Sequence, residues 1–249
     1  MNQVVEESPQ SEMSLLGHLS ELRRRLVWVG VGLLVGTLIS FIFAEALLQF
    51  LTRPYGDQLQ TLRPTEGVET YFKIALASGA ILSMPIILLQ VWKFISPGLL
   101  PRERRYVYVF LPSAMVLFLL GIAFAWYVLL PAAITFLDGF LNTVFVTEWT
   151  SQEYIGFLTT FLFWIGVSFE MPVIIYFIAR VGIVSAATLR EQWRTAMVII
   201  AILAAAVTPT VDPVTMLLTM APLIVLYVLS LGLARIGQRQ FERAMALEN

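Results

Sequence analysis

The chain has 249 residues, of which 58% are hydrophobic and 13% charged, with a formal net charge of −1 and a mean hydropathy of +0.81. A soluble domain carries about 25% charged residues, so this deficit puts the chain in the membrane class before any motif is read. It has no cysteine, which excludes disulfides, thiolate catalysis and Cys-based metal sites, and its near-neutral charge gives no reason to expect nucleic acid as a partner.

Residues 1–13 are polar and acidic, with Glu6, Glu7 and Glu12, and read as a flexible tail. The stretch His18-Leu19-Ser20-Glu21-Leu22-Arg23-Arg24-Arg25 follows. His18 and Glu21, spaced i and i+3, share one helical face. A carboxylate beside three guanidiniums is either an intramolecular ion pair or a second function. A lone histidine in a cysteine-free chain is no metal site, so neither metal nor cofactor is expected. The apolar run 26–48 is long enough to span a bilayer, since about 20 residues at 1.5 Å each cover the ~30 Å hydrocarbon core. Gly32 and Gly36 within it form a small-xxx-small pair that suits close approach of a second helix, in this chain or in a partner.

Residues 49–70 contain Pro54, Gly56, Pro64 and Gly67 and read as an irregular cap. A second span covers 71–95 and a third 106–130, with Pro85 and Pro112 expected to kink them. Between them runs Ser96-Pro97-Gly98-Leu99-Leu100-Pro101-Arg102-Glu103-Arg104-Arg105. Its prolines predict a rigid extended turn, in which Glu103 is the only acid. Residues 132–146 are too apolar for a plain loop, and either lie in the membrane interface or extend the third helix.

The fourth span, 155–178, contains Ser168-Phe169-Glu170-Met171-Pro172. A charge at mid-bilayer costs about 2.5–3.5 kcal/mol, so Glu170 should face the protein interior or a water-filled cavity, unless it reaches a helix end. Pro172 frees the carbonyl of Ser168, which predicts a kink beside the carboxylate. Two short apolar runs, 196–207 and 214–234, flank the turn Thr208-Pro209-Thr210-Val211-Asp212-Pro213, and Pro222 falls in the second of them. The whole chain thus reads as a single all-α integral membrane domain of about six spans, the last two of them short.

With both termini cytoplasmic, thirteen of the sixteen basic residues face inward, and only Arg53, Arg63 and Lys73 face outward. That Lys/Arg bias predicts the orientation. Glu21 and Glu103 then lie at neighbouring cytoplasmic segments. Paired carboxylates of this kind accept guanidinium N–H donors in charge-assisted, bidentate geometry, which suits a peptide ligand carrying arginines.

Three blocks carry a family resemblance: HLSELRRRL; then Pro85 and the run QVWKFISPGL leading into Glu103-Arg104-Arg105; then Ser168 to Pro172. Together they resemble the TatC family, the multispanning subunit of the twin-arginine (Sec-independent) protein translocase, over about residues 14–235. The resemblance implies a curved, glove-like helical wall in a bacterial or archaeal cytoplasmic membrane. It implies a non-enzymatic receptor that exports folded proteins with the proton-motive force. Glu21 and Glu103, helped by Arg23, Phe94 and Arg105, would hold the arginine pair of the signal peptide. Glu170 would offer a polar contact to single-span Tat subunits of the TatA and TatB type. Pro54 and Asp212 correspond to further family positions tied to function. The implied partners are twin-arginine signal peptides, those single-span subunits, other copies of this chain and the lipid bilayer. An ion-coupled small-molecule transporter is the rival reading, and it predicts more than one deeply buried ionisable group.

Overall fold

The computed structural model describes residues 15–56, 59–95, 101–144, 147–208 and 212–246. The tail assigned to residues 1–13 lies outside them. Every regular element among the described residues is helical. Five apolar segments are long enough to cross a membrane: Leu19–Thr52, Glu66–Ile95, Phe110–Gly139, Ser151–Arg180 and Pro213–Arg243. A shorter sixth is Trp193–Val207.

The first helix, α1 (Leu15–Thr52), begins well before the apolar run, so Glu21 and Arg23 to Arg25 stand on helix and not on a loop. It lies along α2 (Glu66–Ile95) in the most extensive helix pairing of the fold. The reason is the absence of side chains where the backbones meet. A Cβ on Gly36 would come within 2.6 Å of the Gly79 carbonyl oxygen, and one on Gly79 within 2.6 Å of Thr37 Cα. The Ser83 hydroxyl fills the contact, lying 2.8 Å from the carbonyl of Gly32 and 2.7 Å from that of Gly79. The glycine pair of α1 is therefore spent inside the molecule, which settles one of the two options its spacing left open.

The third span is longer than expected. α3 (Pro101–Phe124) passes through a π-helical turn, Ala125–Leu129, into α4 (Leu130–Gly139). Pro131 explains the widened turn: it cannot donate to a carbonyl four residues back, and its ring would clash there. The N–H of Leu130 instead reaches the Ala125 carbonyl. Residues 132–139 thus extend the third helix.

The fourth span divides into α5 (Ser151–Ser168) and α6 (Met171–Arg180), with a turn at Phe169 and Glu170 where Pro172 predicted a kink. α7 (Ala186–Glu191) is a short helix capped by the Ser185 hydroxyl. α8 (Trp193–Val207) has only 15 residues, as expected of a short span. The last helix is not short. α9 (Pro213–Ala246) runs for 34 residues, because beyond its apolar part the chain continues in good helix formers such as Gln238, Arg239, Glu242 and Arg243. It also packs closely on α6: a Cβ on Gly237 would lie 2.7 Å from the Tyr176 carbonyl, and the Tyr176 hydroxyl donates to Gln240 at 2.8 Å. Pro85, Pro112 and Pro222 all lie inside helices that continue through them.

The largest core cluster forms around α5, where Tyr154, Ile155, Phe157, Leu158, Phe161 and Ile165 are buried against α2, the π turn and α4. A second, around Trp92, Phe110, Phe118 and Phe177, joins α2, α3 and α6, with Trp92 and Phe177 edge to face at 4.4 Å. Such aromatic pairs contribute about 0.5–1.5 kcal/mol beyond area burial.

Replacing Gly36 by Leu should force α1 off α2 and cost about 1–3 kcal/mol by overpacking. Gly30→Leu, at a position with nothing within 4 Å, is the matched control. Thermal unfolding of the two variants in the same detergent should show a lowered midpoint for Gly36→Leu alone.

Candidate functional site

Three carboxylates mark three levels of the molecule. At one end, that of the N-terminus, Glu21 projects from α1 with its side chain 14% exposed. Its Oε1 accepts from Arg25 at 2.7 Å and lies 3.6 Å from Arg24. Arg25 also reaches across to α2, donating to Gln90 Oε1 at 3.3 Å. The sequence left an intramolecular pair and a second function both open; the intramolecular pair is present. Among the described residues, Glu21 Oε2 takes no hydrogen bond, so half of the carboxylate's acceptor capacity remains.

Phe94, half-buried, lies one turn beyond Gln90 on the same face of α2. Arg23 is exposed on α1. These three, Glu21, Arg23 and Phe94, belong to the N-terminal part of α1 and the adjoining C-terminal part of α2. The backbones of Glu103 and Arg105 belong to the first turn and a half of α3, which opens with Pro101 at a position where its missing N–H costs nothing. Their side chains, and the turn 96–100, lie outside the described residues. Glu103 therefore stands at a helix start and not within an extended loop. An acid there is favoured by the helix dipole.

In the middle, Glu170 is 3% exposed and occupies the break between α5 and α6. Its own N–H donates to the Val167 carbonyl at 3.0 Å, and its carbonyl accepts from Ile174 at 3.0 Å. The carboxylate is less well served: Oε1 is buried without a hydrogen-bond partner. Arg180, the basic residue that closes α6, is ten residues away, roughly 15 Å along a helix. With 3% of its surface exposed, Glu170 is an interior acid and not a side chain extended to the surface of the molecule. Gly121 and Gly166 allow α3 and α5 to close around the break, since a Cβ on Gly121 would lie 2.8 Å from the Phe169 ring.

At the opposite end lies a carboxylate that sequence reasoning passed over. Glu66, 2% exposed, opens α2. Its Oε2 accepts from the N–H of Leu62 at 2.8 Å and of Arg63 at 3.4 Å, and its Oε1 from the N–H of Gln152 at 3.0 Å and the Ser151 hydroxyl at 3.3 Å. One side chain thus ties the cap loop, α2 and the start of α5. Beside it, Gln60 and Thr150 form a parallel bridge, with Ser151 N donating to the Gln60 carbonyl at 2.8 Å. The sequence placed it in the 49–70 segment read as an irregular cap, whereas α2 begins at it, where the helix dipole favours an acid. Nothing in the sequence named its partners 85 residues away.

Pro54 is exposed in the turn after α1, and that turn delivers Tyr55 to within 5.7 Å of the Tyr154 ring. Asp212 caps α9: its Oδ1 accepts from Thr215 N at 2.6 Å, with Pro213 as the first helical residue. Pro54 follows the end of α1 and Asp212 precedes the start of α9, so each shapes the end of a helix.

Similarity to known proteins agrees with this geometry. The sequence profile described as Sec-independent protein translocase protein (TatC) matches residues 17–222. A Sec-independent protein translocase protein TatC of Koribacter versatilis is 39% identical over 231 residues, which cover 89% of this chain and 85% of the relative. That of Helicobacter pylori strain 26695 is 39% identical over 219 residues, 88% of this chain and 86% of its own. A crystal structure of a twin-arginine translocase receptor, TatC, is 33% identical and superposes with a TM-score of 0.81, over 88% of this chain and 99% of the other. Fold and matches together define a multispanning membrane component of a protein translocase. Within that class, the chain belongs to the TatC family of Sec-independent protein translocase proteins.

Glu66→Ala should lower the unfolding midpoint by several degrees and expose the 59–65 segment to added protease, because two backbone strands lose their acceptor. Glu69→Ala, which removes an exposed pair with Arg63 at 3.4 Å, should leave both readouts near wild type.

Proposed function

We propose that this chain is the receptor and core subunit of a twin-arginine translocase, without enzymatic activity of its own. It binds twin-arginine signal peptides of folded proteins at the cytoplasmic ends of α1, α2 and α3. It assembles with single-span subunits of the TatA and TatB type for export driven by the proton-motive force. Both termini face the cytoplasm of the bacterial or archaeal cell whose membrane holds it, as the thirteen-to-three division of basic residues favours.

The observation that carries the reading is the guanidinium already seated on Glu21. Arg25 reaches that carboxylate at 2.7 Å, at a site where the side chain is only 14% exposed. Partial burial raises the strength of such a contact above that of a solvated pair. An arriving signal arginine takes the open Oε2 or displaces Arg25, whose second link, to Gln90, keeps it close by. Glu103 is the acceptor for the second arginine, Arg23 and Arg105 set the polarity around the pair, and Phe94 offers an apolar face to the residues that follow it. Glu170 has a different task. A buried oxygen with no partner is a standing cost, about 1–3 kcal/mol for an ordinary polar group, and a polar side chain on a partner's membrane helix would relieve it.

The rival reading, an ion-coupled carrier, needs several deep ionisable groups. Among the described residues the buried charged side chains are Glu66 and Glu170, and Glu66 sits at the outer helix end.

Photo-crosslinking of a twin-arginine peptide tests the receptor reading directly. Probes at positions 21, 94 and 103 should label well above probes within 132–146, and equal labelling would sink the assignment. Glu103→Lys should weaken peptide binding at least about tenfold, since a charge-assisted hydrogen bond contributes ~1.5–3 kcal/mol. Glu170→Ala should retain peptide binding and lose co-purification of the single-span subunits. Loss of both together would point to a folding role for Glu170.

A further inference from the structure

The inner end of the α8–α9 side carries a cavity that none of these roles uses. It has a volume of about 620 Å³ and is lined by Ala186 and Ala187 of α7, by Arg190 and Glu191, by Trp193 at the start of α8, and by Arg235 of α9. Its level is set by the sequence. The apolar stretch of α8 begins at Ala196, just after Trp193 and Arg194, and that of α9 gives way to polar residues at Arg235, so the cavity lies at the boundary between the hydrocarbon and the aqueous phase. Val198, Ile199, Ile202 and Leu203 of α8, further along the same helix, are exposed apolar residues.

Three features point to one kind of ligand. Arg190 and Arg235 converge on the cavity from two elements, against a single acid, Glu191. Among the described residues, neither arginine is in a salt bridge, and both are exposed. Trp193, 53% exposed, presents its ring at the same level with the Arg194 guanidinium 5.7 Å from its centroid. Tryptophan with arginine at a helix end is the pattern of an interfacial anchor, and basic pockets between membrane helices hold anionic headgroups. α8 adds a reason for such an anchor. Its 15 residues span about 22 Å, short of the ~30 Å hydrocarbon core, a mismatch that local thinning of the bilayer or flanking side chains reaching to the headgroups relieves.

We propose that this cavity binds the phosphate headgroup of an anionic phospholipid, such as phosphatidylglycerol, through Arg190 and Arg235, with Trp193 packed against the glycerol and upper acyl region. The bound lipid fixes the level of α8 in the bilayer. This proposal does not depend on the signal-peptide site, which lies on other helices.

The test is native mass spectrometry of the full-length chain, delipidated in detergent and titrated with phosphatidylglycerol or phosphatidylcholine. The wild-type chain should retain one phosphatidylglycerol in preference to phosphatidylcholine. Arg190→Gln with Arg235→Gln should weaken that binding roughly thirty-fold, as expected for two cations near an anionic surface, each worth about fivefold. Arg243→Gln, the same charge change elsewhere on α9, should keep wild-type affinity. Unchanged binding in the double variant, or an equal loss in Arg243→Gln, overturns the proposal. So does displacement of the lipid by inorganic phosphate, which would make this a free-anion site, or by an acidic peptide, which would make it a protein-docking site. A second measurement needs no arginine variant. Brominated phosphatidylglycerol should quench tryptophan fluorescence more than brominated phosphatidylcholine does, and Trp193→Phe should remove that difference; persistence of the difference in Trp193→Phe counts against the site.

Discussion

The approach of α1 to α2 through Gly36, Gly79 and Ser83 is the contact on which the rest of the molecule depends. Inside a bilayer there is little hydrophobic gain from bringing two apolar helices together, so association rests on close backbone packing and on a few hydrogen bonds. Here both are supplied at one crossing, where the Ser83 hydroxyl lies against two carbonyls in place of a side chain that would hold the helices apart. Everything at either end follows from that closeness. Inward, it lets Arg25 of α1 reach Gln90 of α2, which positions the Glu21 carboxylate. Outward, it lets the Tyr71 hydroxyl donate to the Phe41 carbonyl at 2.8 Å. α2 then carries this registered pair to α5 and the main core.

Much of this was legible in the sequence, for reasons that differ from residue to residue. Span number and placement follow from the need to satisfy every backbone group in lipid, which leaves long apolar helices as the solution for such a chain. The break beside Glu170 was legible because Pro172 has a fixed chemical consequence. Helix ends were less so. Leu15 to Arg25 and Pro101 to Arg105 are polar enough to resemble loops, yet their composition supports helix, and the structure extends α1 and α3 through them. The length of α9 was missed for the same reason, since hydropathy ends at Ala234 while helix propensity does not. Glu66 was invisible in another way. Its role depends on the Gln152 amide and the Ser151 hydroxyl, contacts created by tertiary folding alone.

The three carboxylates show how one chemical group serves different ends according to what surrounds it. Glu66 has its oxygens saturated by protein donors and acts as a fastener. Glu21 is paired through Oε1 with Arg25 and, more distantly, Arg24, while its Oε2 takes no hydrogen bond among the described residues. Glu170 has an oxygen that folding leaves unanswered, in a membrane interior where water cannot answer it cheaply. The order from outer cap to inner end is therefore not an order of decreasing stability. It is an order of satisfaction, from a carboxylate closed by folding to ones with acceptor capacity left over.

The π turn at Ala125–Leu129 works as an indexing step in the third span. An α-helix advances by 3.6 residues per turn, so a single added residue rotates everything beyond it by about 100°. The turn places Leu130, Ala133 and Ile134 inward, and it brings Asp138 round to accept from the Trp149 indole at 2.8 Å. Without that added residue the same outer segment would present a different face to the core. The outer half of this helix is thus aimed independently of the inner half, and one continuous rod can satisfy two different neighbours.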